Sequence, residues 1–130
     1  MDKVVHFEIP ADDLDRAQEF YKKMFEWQIN KVPNVDIEYH MINTVAVDAN
    51  NMPVEKGAIN GGLVKRVSQG ESPVIVIDVS SIDTYLTKTK DFGGKVLMPK
   101  IKIGEFGYYA RISDTEGNIL GLWEPIKTNS

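Results

Sequence analysis

The order of side-chain periodicities along this chain repeats once, and that constrains its fold more than any single residue does. Val4-Val5-His6-Phe7-Glu8-Ile9 alternates with the two-residue period of a strand. Val5, Phe7 and Ile9 share one face, and Val4, His6 and Glu8 the other. Pro10 ends this strand. Asp12 or Asp13 can cap the next element, because a carboxylate at a helix start accepts free backbone N–H groups. Leu14, Ala17, Phe20, Tyr21, Met24 and Phe25 then fall at helical spacing. Strand-like runs come next at 27–32, at 36–47 (where Ile37, Tyr39 and Met41 share a face) and at 57–67.

The same order returns in the second half. A strand over 74–79 leads to a helix carrying Ile82, Tyr85 and Leu86, with Ser80 as its expected cap and Asp83 three residues later. Phe92-Gly93-Gly94 ends that helix, glycine supplying the left-handed turn. Strands are expected over 95–102, interrupted or ended near Pro99, then over 105–112 and 118–124. The chain therefore reads as α+β, with two βαβββ modules at 1–67 and 73–126. A short linker at 67–73 joins them into one domain over 1–130. A helix covers one face of each sheet, and the opposite faces are expected to curve around a central pocket.

Composition narrows the partners. Fifteen basic against nineteen acidic residues give a net charge of -4, a poor match to phosphate backbones or anionic membranes. Neither nucleic acid nor membrane is expected as a partner. The absence of cysteine excludes disulfides, thiolate metal sites and cysteine nucleophiles. Apolar runs are far too short to span a bilayer, and the first residues already alternate like a strand, so a cytoplasmic location is expected. Gly61-Gly62 and Gly93-Gly94 lack the spacing of phosphate-binding loops.

Several segments carry a family resemblance. They are His6-Phe7-Glu8-Ile9-Pro10-Ala11-Asp12-Asp13, Arg16-Ala17, Phe20-Tyr21, Phe92-Gly93-Gly94-Lys95-Val96, Pro99, and the run from Ile112 to Pro125. Within that last run, Asp114-Thr115-Glu116-Gly117-Asn118 is close to an Asp-Pro-x-Gly-Asn ending, with Thr115 in place of proline. On these residues the chain resembles the vicinal oxygen chelate superfamily, which includes glyoxalase I, bleomycin and fosfomycin resistance proteins and extradiol dioxygenases. The resemblance implies a curved mixed sheet of glyoxalase-like fold, a small-molecule ligand and homodimerisation. It further implies that metal-dependent members place ligands on the first strand of each module and on the closing strands. His6 matches the first of these places. The second falls near Val74, the closing place of the second module is Gly121, and that of the first lies near 59–61, where Asn60 is the best donor. The standard metal site is therefore expected to be lacking.

His6 heads the candidate residues. It can hydrogen-bond a ligand, move a proton or bind a metal, and Glu8 on the same face can orient it and raise its pKa. Both are candidates for catalysis. His6, Glu8, Tyr39, Arg111, Gly121 and Trp123 are the expected ligand-binding residues. Arg111 could grip a carboxylate, although a solvated sheet edge is the leading expectation for it, and Trp123 could stack on a ligand, with closing the core the leading expectation. His40, of opposite parity to Tyr39, is expected to reach solvent. No cofactor is expected. Should a divalent metal ion be bound, His6 and Glu124 would be its ligands, but Glu124 has the wrong parity relative to Gly121 unless a bulge turns it. The leading expectation is a glyoxalase/bleomycin resistance-like protein that binds a small molecule. The alternative is a divalent-metal-dependent glyoxalase-like lyase or isomerase.

Overall fold

Ten elements succeed one another in the computed structural model, which describes residues 1–35, 37–68 and 70–126. They are β1 (Val4–Ala11), α1 (Leu14–Phe25), β2 (Gln28–Lys31), β3 (Tyr39–Asn43), β4 (Asn60–Lys65), β5 (Val74–Asp78), α2 (Ile82–Asp91), β6 (Lys95–Ile103), β7 (Gly107–Ser113) and β8 (Ile119–Pro125). The fold is α+β, with the βαβββ order present twice.

The chain divides into two units, His6–Pro73, and Met1–Val5 with the residues from Val74 onward. In the first, the strands lie in the order β2-β3-β4-β1. β1 runs parallel to β4, while β4 and β2 each lie antiparallel to β3. Its core is Ala11, Leu14, Ile29, Ile42 and Leu63, with Phe7, Ile9, Ala17, Tyr21 and Trp27 packed around it. Phe7 and Ile9 thus point to the helix side of β1. By strand alternation His6 and Glu8 point to the opposite side.

α1 begins at Asp13, whose carboxylate accepts the Arg16 N–H at 3.0 Å. It ends at Glu26, a left-handed residue with φ 58°. The apolar stripe of α1 is wider than the surface it buries. Leu14 is buried and Ala17 and Tyr21 reach the core, whereas Phe20, Met24 and Phe25 stay more than half exposed. Tyr21 stacks on Trp27, which bends the exit from the helix back over the core.

In the second unit the strands lie in the order β5-β8-β7-β6, with β5 parallel to β8 and the remaining pairs antiparallel. Val79, Ile82, Ala110 and Leu122 form its core. The cap of α2 is Ser81, one residue later than expected, and its hydroxyl accepts the Thr84 N–H at 3.3 Å. Gly93 takes the left-handed conformation expected after that helix, φ 92°. Pro99 does not end β6. The strand passes through it by register shifts between Val96 and Met98 and between Met98 and Ile101, and an edge strand tolerates the missing N–H. The motif at 114–118 is a closed turn: Asp114 Oδ1 accepts the Glu116 and Asn118 N–H groups at 2.8 and 2.9 Å, and Asn118 Nδ2 donates to Oδ2 at 3.0 Å. Those bonds hold the Asp114 carboxyl below its usual range. Among the described residues, no helix is long and apolar enough to cross a membrane.

Candidate functional site

The polar face of the first sheet carries the strongest candidate. His6 on β1 and Tyr39 on β3 are not on neighbouring strands, because β4 lies between them. They meet nonetheless, His6 Nε2 and Tyr39 Oη standing 2.6 Å apart. The meeting depends on Gly62 of β4, paired with Glu8 on one side and Met41 on the other. A Cβ at 62 would overlap the Tyr39 hydroxyl and ring, so only glycine lets the tyrosine cross β4. Gly61 serves the opposite face, where a Cβ would overlap the Phe7 ring.

Burial pushes the His6 imidazole below its ordinary 6.5, and the Glu8 carboxylate partly opposes that shift. The ring is therefore neutral at pH 7 and able to take a proton. Glu8 itself is 5% exposed. Asn60 stands beside His6 in the parallel register of β1 and β4 and is also buried. The row continues outward: Ile42 pairs with Gly61, so Asn43 comes next beside Asn60, and Gln28 pairs with Asn43. A line of carboxamides thus crosses three strands and ends at His6.

The second module repeats the device with different chemistry. Gly121 of β8 lies between Val76 of β5 and Arg111 of β7, as Gly62 lies between Glu8 and Met41. Tyr109 lies over Gly121, where a Cβ would stand 2.9 Å from its hydroxyl, and accepts the Arg111 Nε–H at 2.8 Å. By this equivalence Val74 is the counterpart of His6, as expected. The counterpart of Gly121 is Gly62, next to the expected 59–61 and two residues beyond Asn60, the donor expected there. The parity of β4 relative to β1 sets that place, and the sequence does not show this pairing.

Two further expectations are corrected. Arg111 is not at a sheet edge in water, because β7 runs between β8 and β6 and the side chain is half-buried against Tyr109. His40 does not reach solvent. It is 7% exposed on the helix side of β3, with Nε2 3.2 Å from Glu38 Oε1 and Nδ1 buried without a partner. His40 shares the core side of β3 with Ile42, whereas Tyr39, Met41 and Asn43 on the other face are half-buried, and alternation alone could not reveal which side packs on the core. Trp123 is half-buried and lies over Gly107. Glu124 lies on the helix side of β8, where Oε1 accepts the Ile82 N–H at 2.8 Å.

These residues do not fit a three-ligand divalent metal site. Both closing positions are glycine, the Glu124 carboxylate is spent on α2, and Val74 replaces a second imidazole. Among the described residues, no three His, Cys, Asp or Glu side chains converge to hold a metal ion. Recesses of about 590 Å³ beside Val32, Pro33 and Ile37 and about 420 Å³ beside Asp12 and Arg66 are not lined by His6, Tyr39 or Asn60.

Comparison with known proteins agrees with the fold. Residues 3–44 match the family described as bleomycin resistance protein-like N-terminal. The chain is 31% identical over 123 residues to "Putative glyoxylase CFP32" of Mycobacterium tuberculosis, covering 90% of this chain and 43% of that protein. It therefore spans less than half the length of that relative. A glyoxylase-like domain-containing protein of Didymella fabae is 28% identical over 114 residues, covering 85% of this chain and 84% of the relative. Among solved structures, Streptomyces coelicolor methylmalonyl-CoA epimerase in complex with 2-nitronate-propionyl-CoA superposes with a TM-score of 0.65 at 17% identity, covering 98% of this chain and 97% of that one. In sequence the chain is similar to glyoxylase-like and bleomycin resistance-like proteins, and in fold to methylmalonyl-CoA epimerase.

Proposed function

We propose that this chain is a glyoxalase-like lyase or isomerase that moves a proton beside the carbonyl of a small molecule bound at His6 and Tyr39. The observation that carries the reading is the 2.6 Å contact between a neutral, desolvated imidazole and a phenol. Such a pair can relay a proton without charging a buried group in the resting state. The C–H bond beside the carbonyl breaks and its proton bonds to Tyr39 Oη. The tyrosine's own proton passes to His6 Nε2, and the electron pair left on carbon forms an enolate. Return of a proton to the same carbon gives the epimer; where that carbon bears a hydroxyl the intermediate is an enediolate, and a proton delivered to the former carbonyl carbon, with loss of the hydroxyl proton, gives the isomer. Glu8, on the same strand face, opposes the loss of basicity that burial imposes on His6. The glyoxylase name of a relative and the epimerase activity named for a protein of the same fold support this reaction class.

A second reading is capture of a small molecule without turnover. The match of residues 3–44 to a bleomycin resistance-like family favours it, as does glycine at both closing positions. Deuterium wash-in separates the two. The protein, treated with a chelator, is incubated in heavy water with small ketones and aldehydes, and exchange at carbon is followed by NMR. Exchange that survives chelation and is lost in His6→Ala and Tyr39→Phe is the expected result. Binding without exchange would move the protein to the capture reading. Exchange that a chelator abolishes and a divalent ion restores would make it a metal-dependent lyase or isomerase. We also propose that the chain acts as a homodimer, which family resemblance supports.

A further inference from the structure

We infer that Asn60 is a catalytic residue that donates a hydrogen bond from Nδ2 to the carbonyl oxygen of the ligand as negative charge develops there. The inference rests on the His6–Tyr39 site proposed above and adds the chemical group the ligand must present.

The orientation of the amide is fixed by its partners. The Thr44 backbone N–H reaches the Asn60 side chain at 2.7 Å, and a backbone N–H can only donate, so the atom facing it is Oδ1. The Thr44 hydroxyl lies 3.1 Å from the same oxygen and donates to the Ile59 carbonyl at 2.7 Å, which anchors the threonine in turn. With Oδ1 committed, the amide cannot rotate to bring Nδ2 to Thr44 without setting donor against donor. Asn60 is 6% exposed, and Nδ2 is buried with no hydrogen-bond partner. A buried, unsatisfied donor costs about 1–3 kcal/mol. A leucine would avoid that cost, though it would leave Thr44 without its acceptor.

The position of this donor gives it a use. Asn60 and His6 are register partners on adjacent parallel strands, so their side chains leave the same face of the sheet. The strands are about 4.8 Å apart. An oxygen that accepts from Nδ2 therefore places the neighbouring carbon of a small carbonyl compound within reach of the His6–Tyr39 pair. A donor fixed before the ligand arrives stabilises an enolate oxygen without reorganising, the arrangement that makes oxyanion sites effective. An acceptor with sp² lone pairs suits it, whereas an alcohol brings a proton of its own. The ligand class is thus a small ketone or aldehyde bearing hydrogen on the adjacent carbon.

The probe is hydroxyacetone, titrated into isotope-labelled full chain while the side-chain amide signals of Asn60 and the ring signals of His6 and Tyr39 are followed by NMR. Propylene glycol, which lacks the carbonyl, is the comparator. The expected result is that hydroxyacetone shifts all three sets of signals and propylene glycol leaves the Asn60 amide in place. Asn60→Asp keeps an acceptor for Thr44 but loses the donor. It should bind hydroxyacetone about tenfold more weakly, the loss of one neutral hydrogen bond. If Asn60→Asp does not fold, the wild-type titration decides alone. Shifts at His6 and Tyr39 with an unmoved Asn60 amide would leave the site reading standing and overturn this inference, assigning Nδ2 to a buried water. No shift at any of the three would overturn both.

Discussion

His6 couples protein stability to pH in a direction its burial dictates. Its folded pKa lies below the ordinary 6.5, so the unfolded chain binds the proton more readily. The stabilising effect is complete above 6.5 and is lost as pH falls through the lowered value, at no more than about 1.4 kcal/mol per pH unit. Denaturant titrations from about pH 8 to about pH 5 should show this loss in the wild type. His6→Gln, which keeps an acceptor for Tyr39, should lack that component. Equal pH slopes in the two proteins would show that the imidazole is not desolvated. Position 62 supplies a second test. Gly62→Ala pushes the Tyr39 hydroxyl off His6, and because the displaced atom is a side-chain end, the protein should still fold. Deuterium wash-in should be lost as completely as in Tyr39→Phe, and retention of exchange would exclude the relay.

At the scale of elements, α2 is held at its start by two groups from different parts of the chain. Ser81 accepts the Thr84 N–H and Glu124 accepts the Ile82 N–H. Glu124→Ala should lower stability by about 1 kcal/mol, the usual worth of a capping acceptor. Hydroxyacetone binding should be unchanged. A tenfold loss of binding at unchanged stability would instead return Glu124 to the ligand site. Ile42, fully buried in the first core, should cost about 2–5 kcal/mol when truncated to alanine. The elements themselves were largely legible, because alternation and helical spacing are strong in β1, α1, β5 and β8. What a strand faces across the sheet was not. The parity of β1 placed His6 and Glu8 together, yet nothing local showed that Tyr39 would reach across β4 to His6. The paired glycines at 61–62 were the available signal, since two adjacent residues without Cβ in a strand imply close approach on both faces. The setting of Arg111 was hidden for the same reason: an edge strand and an interior strand alternate alike.

For the molecule as a whole, the repeat of element order proves deeper than residue identity. Gly62 and Gly121 occupy equivalent places, each beneath a tyrosine hydroxyl, although the partner is a histidine in one module and an arginine in the other. Asn60 and its buried amide could not be valued from sequence, because satisfaction of a polar group depends on Thr44 at a distance. The proposed homodimer predicts a sedimentation mass of twice the 14.6 kDa chain, and a single-chain mass at micromolar concentration would remove it.

The tyrosine-over-glycine arrangement also limits how this chain can change. A carboxylate cannot be introduced at position 62 while Tyr39 fills the volume, and at 121 it meets Tyr109 and Val76. Substitutions here are therefore ordered: the tyrosine must shrink before the glycine can grow, and the reverse order passes through a disrupted site. Paths between this arrangement and one with a closing carboxylate are thus epistatic, and single-substitution libraries at 62 or 121 alone will not find them.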